Sequence, residues 1–302
     1  LEGVRAKGHV ELNMANSLWA QHDHPFLPGF LSVTNTHYGA NVENVDFEHH
    51  TEAARKKINE WTEEETHRRI RDLIPQGVLS SESRLVLASA MDFKGEWLST
   101  FDRKRTRDEP FRVTAQQAKD VPTMRQTGSF EYAENKDIQM LTLPYKGDDL
   151  SMVILLPREK QGLRDLEHRL TVKRIRAWME AAETQNVDVH LPRFTIESGF
   201  SLKDALTAMG MRDAFRWPGA DFSGMDGTDL LFISEALHKA WVEVNEKGTE
   251  AAAATAVVVM VGAAPRESVK TFRADHPFLF FIRENRTGSL LFMGRVHDAS
   301  ER

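Results

Sequence analysis

Glu246-Lys247-Gly248-Thr249-Glu250-Ala251-Ala252-Ala253-Ala254-Thr255, continuing into Ala256-Val257-Val258-Val259-Met260-Val261, is the stretch on which the reading of this chain turns. It joins strand-forming residues to side chains small enough for a crowded sheet, and the Pro265-Arg266-Glu267 segment that follows reads as an exposed loop. With a period of two, Thr249, Ala251, Ala253, Thr255, Val257 and Val259 share one face, and the charge of Glu250 falls on the other. The ribbon has the pattern of a strand that could be inserted with an uncharged face inward. Four consecutive alanines argue instead for helix, while the β-branched run Val257 to Val259 and Gly248 at the start argue against it. Periodicity does not decide between the two.

Working outward, 302 residues with 41% hydrophobic content suffice for a single globular body with a sizeable core. The net charge of −6 and the lack of a basic block make nucleic acid an unsuitable partner. No apolar run approaches the roughly 18 residues of a membrane span, so no membrane partner is expected, and no signal peptide is visible. With no cysteine, disulfides, thiol catalysis and cysteinyl metal sites are excluded, and the compartment is left open. His22/His24 and His49/His50 lack a ligand pattern and read as solvated, so no metal and no cofactor are expected. No Gly-x-Ser-x-Gly elbow or phosphate loop is present, and no catalytic residue is assigned.

The element order reads as α+β. A short helix is expected from Pro28 to about Thr36 and a short strand from Asn44 to Phe47. Ala54, Ile58, Trp61 and Ile70 recur at near-helical spacing among charges and predict an amphipathic helix over Thr51 to Arg71. Leu85 to Ala90 reads as a buried strand. Leu141 to Leu143 and Met152 to Leu156 read as strands joined through the turn at Gly147-Asp148-Asp149. Leu166 to Met179 predicts a helix, Val187 to His190 a strand, and Leu202 to Met209 a helix stopped by Gly210. Asn285-Arg286-Thr287 is a glycosylation triplet that Gly288 turns into the reading of a turn.

The Glu-Lys-Gly-Thr-Glu start, small-residue run and closing threonine resemble the hinge of the serpin reactive-centre loop. The resemblance extends across nearly the whole chain. Phe93-Lys94-Gly95-Glu96-Trp97, Leu143-Pro144-Tyr145-Lys146-Gly147 with Leu150-Ser151-Met152 and Leu155-Leu156-Pro157, and Leu191-Pro192-Arg193-Phe194 are similar to family segments in the same order. Ala236-Leu237-His238-Lys239-Ala240, His276-Pro277-Phe278-Leu279-Phe280-Phe281-Ile282-Arg283 and Leu291-Phe292-Met293-Gly294-Arg295-Val296 complete the series. Leu12 to Ala20 is similar to the second strand of the family's main sheet, so the resemblance implies one serpin domain over 1–302, truncated before that strand, with hinge and loop at 246–276.

That resemblance implies a large mixed central sheet, two smaller sheets, surface helices with one across the main sheet at 51–71, and an exposed reactive-centre loop. It also implies a suicide inhibitor of serine proteases, with cysteine proteases possible, acting through a covalent complex as a secreted, extracellular monomer prone to loop-sheet polymers. Glu246, Lys247, Gly248, Thr249, Glu250, Ala251, Ala252, Ala253, Ala254 and Thr255 would be the hinge. The scissile bond would fall among Met260, Val261, Gly262 and Ala263, which suit an elastase-, chymotrypsin- or subtilisin-like protease, with Arg266 as a trypsin-type alternative. Trp97, His238 and Ser89 would govern opening of the sheet, although Trp97 and His238 also read as ordinary core residues. Ser89 and Asp92 stand where many relatives have asparagine and tyrosine. A non-inhibitory carrier or chaperone and an inactive truncated product are the competing readings.

Overall fold

The computed structural model describes residues 8–38, 41–247 and 269–301. In chain order the elements are β1 (Val10–Gln21), α1 (Pro28–Val33), β2 (Asn41–Val45), α2 (Phe47–Glu65), β3 (Leu85–Gly95), β4 (Arg107–Arg112), β5 (Ala118–Glu134), β6 (Ile138–Pro144) and β7 (Leu150–Pro157). They continue with α3 (Leu163–Arg169), α4 (Val172–Glu180), β8 (Glu183–Pro192), β9 (Phe194–Ser201), α5 (Lys203–Ala208), α6 (Ser223–Asp226), β10 (Glu235–Val244), β11 (Lys270–Arg273), β12 (Phe278–Glu284) and β13 (Leu290–Val296). The fold is α+β, as expected. The chain divides into two compact units, one built from residues 94–196 with the described residues around 8–11 and after 243, the other from residues 12–93 and 197–242.

A five-stranded sheet runs β2-β1-β3-β10-β9. Along β3 the side chains alternate: Val86, Ala88, Ala90 and Asp92 are buried, while Leu87, Ser89 and Met91 are half-buried. The buried face meets α2, whose Phe47, Ala54 and Ile58 pack with Trp19, Val86, Ala88 and Leu237. Burying each such large apolar side chain contributes about 1.5–3 kcal/mol, so the stripe on α2 is what holds this helix to the sheet. Helix α2 starts where the Asp46 carboxylate accepts from the His49 backbone N–H at 2.9 Å.

In the other unit eight strands form one array, β11-β8-β5-β6-β7-β12-β13, with β4 also paired to β5. The two smaller sheets expected from the sequence are continuous because β5 is 17 residues long. Its residues from Ala118 to Thr123 pair β4, those from Glu131 to Glu134 pair β6, and those from Thr123 to Tyr132 pair β8. All eight residues of β7 are buried, since β6 and β12 flank it and α3 and α4 supply Leu163, Leu166, Ile175 and Trp178 to the same core.

Local structure corrects several boundaries. The strand expected at Asn44 to Phe47 ends at Val45, because Asp46 begins α2. The helix expected over Thr51 to Arg71 runs Phe47–Glu65; His67 and Arg68 take left-handed φ of 51° and 63°, so Ile70 is buried beyond the helix and not on it. The helix expected over Leu166 to Met179 is two helices, because Thr171 is extended and its hydroxyl accepts from the Arg174 N–H at 3.2 Å, starting α4 afresh. Among the described residues no helix is long and apolar enough to cross a membrane.

Candidate functional site

Strands β3 and β10 are parallel and paired directly, from Glu235 opposite Val86 to Val242 opposite Phe93, with no strand between them. This register places His238 opposite Ser89, and His238 Nδ1 and Ser89 Oγ share a 3.2 Å hydrogen bond across the seam. Two of the residues predicted to govern opening are therefore brought together. The edge of the His238 ring also meets Phe200 at 5.7 Å between centroids, and burial lowers the imidazole pKa. Asp92 is fully buried on the opposite face of β3; its Oδ2 accepts from Arg69 Nη1 at 2.5 Å and from Asn13 Nδ2 at 3.0 Å. Burial raises its pKa, and the Arg69 and Asn13 contacts counteract that only in part.

The segment predicted to be the hinge starts just after β10, and Trp97 and Phe101 contact its first residues. The Trp97 indole N–H donates to the Asn245 carbonyl at 2.9 Å, the Trp97 backbone N–H to the Lys247 carbonyl at 3.2 Å, and the Phe101 N–H to the Glu246 carbonyl at 2.8 Å. Three consecutive carbonyls of the outgoing chain are thereby held by one short segment. Trp97 is only 2% exposed, stacks on Tyr145 and meets Phe101 edge-on, so it is a core residue that also contacts the segment predicted to be the hinge. The Tyr145 hydroxyl has a pKa well above its ordinary value because the ring is buried.

The Glu246 carboxylate is 2% exposed, and Oε1 accepts from Thr106 Oγ1 at 2.8 Å. Oε2 lies 3.6 Å from Arg193 Nε, an ion pair without a hydrogen bond. Lys247 N–H donates to Asn245 Oδ1 at 3.0 Å. Of the predicted hinge, Glu246 and Lys247 are thus placed. Gly248 to Thr255 and the scissile candidates Met260, Val261, Gly262 and Ala263 lie outside the described residues. Sequence reasoning did not single out Thr106, Asn245 or Tyr145 for the hinge. Tyr145 sat inside a quoted motif, whereas nothing local marks a threonine 140 residues from its carboxylate partner.

His49 and His50 both lean on Asp46, at 3.4 and 2.9 Å, and His24 on Asp226 at 2.8 Å. Asn285 lies in the turn joining β12 to β13, where its Nδ2 donates to the Asp148 carbonyl at 2.9 Å and Gly288 takes a φ of 74°.

Residues 1–299 match the profile of the serpin (serine protease inhibitor) family. The chain belongs to the serpin family. Its relatives include human Serpin B3, 45% identical over 94% of this chain and 74% of that protein. Leukocyte elastase inhibitor A of Rattus norvegicus is 44% identical over 97% of this chain and 78% of that protein. Among solved structures, this serpin is similar to uncleaved ovalbumin, with a TM-score of 0.85 and 34% identity over 96% of this chain and 74% of that one. Serpin48 of the insect Tenebrio molitor gives 0.84 and 34% over 98% and 79%. The serpin fold expected from the sequence is thereby established. Nothing in the names of these relatives supports the extracellular location that the family resemblance implied.

Proposed function

We propose that this serpin inhibits serine endopeptidases of elastase, chymotrypsin or subtilisin type as a suicide substrate. The protease serine attacks a carbonyl among Met260 to Ala263, the amine of the next residue leaves, and an acyl-enzyme remains. Once cut, the chain from Thr249 onward enters between β3 and β10, carrying the attached protease with it. Loop insertion is the general mechanism of the family, carried to this chain by its membership.

The observation that carries the reading is the directly paired parallel seam of β3 and β10, with the hinge leaving the end of β10. A chain that reverses after Lys247 runs antiparallel to β10 and to β3 alike, so a single ribbon can satisfy both newly separated edges. About twelve residues of added strand at ~1 kcal/mol per hydrogen bond supply on the order of 10 kcal/mol. The relatives named for elastase inhibition point to the same protease class. A seam that stays open would equally accept the ribbon of a second copy, which is the route to polymers.

Incubation with pancreatic elastase and with trypsin, followed by denaturing electrophoresis, tests this. The expected result is a band of serpin plus elastase that survives denaturation, with the released peptide starting after one of the residues 260–263. Clean cleavage by elastase with no such band would overturn the proposal.

A further inference from the structure

Residues 66–72 form a strap over the buried face of the five-stranded sheet. Ile70 is fully buried against Ala15 and Ala90, with Trp61 and Trp241 alongside. The Arg71 carbonyl accepts from Lys239 Nζ of β10 at 2.6 Å. His67, Arg68 and Asp72, none of them glycine, hold left-handed φ of 51°, 63° and 48°. The strap is therefore kept in a strained backbone by what its side chains grip.

Its strongest grip crosses the seam. Asp92 and Trp241 stand directly opposite each other on β3 and β10. Arg69 donates to Asp92 Oδ2 at 2.5 Å, and the same guanidinium lies over the Trp241 ring, 5.3 Å from its centroid. Asp92 Oδ1 is buried without a hydrogen bond and Oδ2 accepts from Arg69 and from Asn13, so Arg69 supplies the carboxylate's ion pair. A strand inserted between β3 and β10 moves them from about 4.8 Å to about 9.6 Å apart. One guanidinium cannot follow both partners across that change, and it must release one.

We propose that Arg69 is a latch across the insertion seam, whose release from Asp92 or Trp241 limits how fast an incoming strand is taken up. Arg69 is thus a positioning residue for the conformational step, and the inference rests on the seam being the site of insertion under the proposed function. In this serpin the latch depends on a carboxylate at position 92 and on the planar guanidinium; a lysine could pair with Asp92 but could not stack as well.

The test uses the whole protein and a synthetic acetylated peptide copying residues 249–260, whose uptake is followed by native electrophoresis without any protease. Arg69→Met and Trp241→Leu are each expected to take up peptide roughly three- to ten-fold faster than wild type, and the double variant no faster than either single one. Arg69→Lys is expected to fall between wild type and Arg69→Met, and it carries the test with Trp241→Leu if Arg69→Met does not fold. Additive effects, unchanged uptake, or no uptake by any of the proteins would overturn the latch. Elastase trapping is scored separately. Faster uptake in the variants with no trapped elastase sinks the proposed function and leaves the latch standing, and trapped elastase with unchanged uptake does the reverse.

Discussion

Trp97 lies flat against Tyr145, with ring centroids 4.5 Å apart and planes 10° from parallel, and the two residues also form a β-bridge. The stack fixes the indole so that its N–H meets the Asn245 carbonyl at the base of the hinge. Trp97→Phe keeps an aromatic ring and leaves that carbonyl without its donor. It is expected to destabilise the protein by about 1–3 kcal/mol, read from the urea unfolding midpoint. An unchanged midpoint would show that the hinge contact contributes nothing.

The proposed insertion would set a chemical limit on the predicted hinge ribbon. An unpaired charge carried into the sheet costs several kcal/mol, a large share of the ~10 kcal/mol that a new strand supplies. Thr249→Arg is therefore expected to be cleaved by elastase and to release it, turning inhibitor into substrate. A denaturation-resistant complex with the variant, as abundant as with wild type, would contradict the mechanism.

His238 makes stability depend on pH. Burial holds its pKa below the ordinary 6.5, so below pH 6.5 the unfolded chain takes up a proton that the folded chain refuses until its own lower pKa is reached. The contribution is present in full above pH 6.5 and is lost as pH falls through that window. Urea midpoints measured from pH 8 to pH 5 should decline below about 6.5 in wild type, and His238→Gln should flatten that part of the decline. Identical pH profiles for the two proteins would remove His238 from the account.

Strand β13 crosses closely over a buried ring. A Cβ placed on Gly294 would come within 2.6 Å of Phe280 Cε1 and Cζ, and Phe280 is 2% exposed with little room to turn. Gly294→Ala is expected to cost about 1–3 kcal/mol through overpacking, seen as a lower urea midpoint. A variant as stable as wild type would mean that the ring yields freely.

Some buried strands were legible in the sequence because a short unbroken apolar run bounded by charge or turn residues fits a strand covered on both faces, whereas β4, the long β5, β9 and β11 carry no such run. Leu85 to Ala90 and Met152 to Leu156 both lie within buried strands. Helix ends were not. Ile70 continues the helical spacing of Ala54, Ile58 and Trp61, yet it belongs to the strap, since its burial is decided by Ala15 and Ala90 rather than by α2. Of the site, Trp97, His238 and Ser89 were named in advance, but the partners of Glu246 and Asp92 were not. Thr106 and Arg69 are ordinary polar residues whose roles arise from long-range register alone.

By itself, the chain's order of residues determined the α+β class and a ribbon of small side chains after Glu246, because apolar runs and alternation are local properties, while the ordered motifs carried the resemblance to the family. Only the tertiary structure decided that β3 and β10 meet directly, that His238 faces Ser89, and that Arg69 spans Asp92 and Trp241. Arg69 and Asp92 are 23 positions apart, but the contacts to β10 join residues more than a hundred positions apart, and no local pattern encodes which of two distant strands will lie side by side.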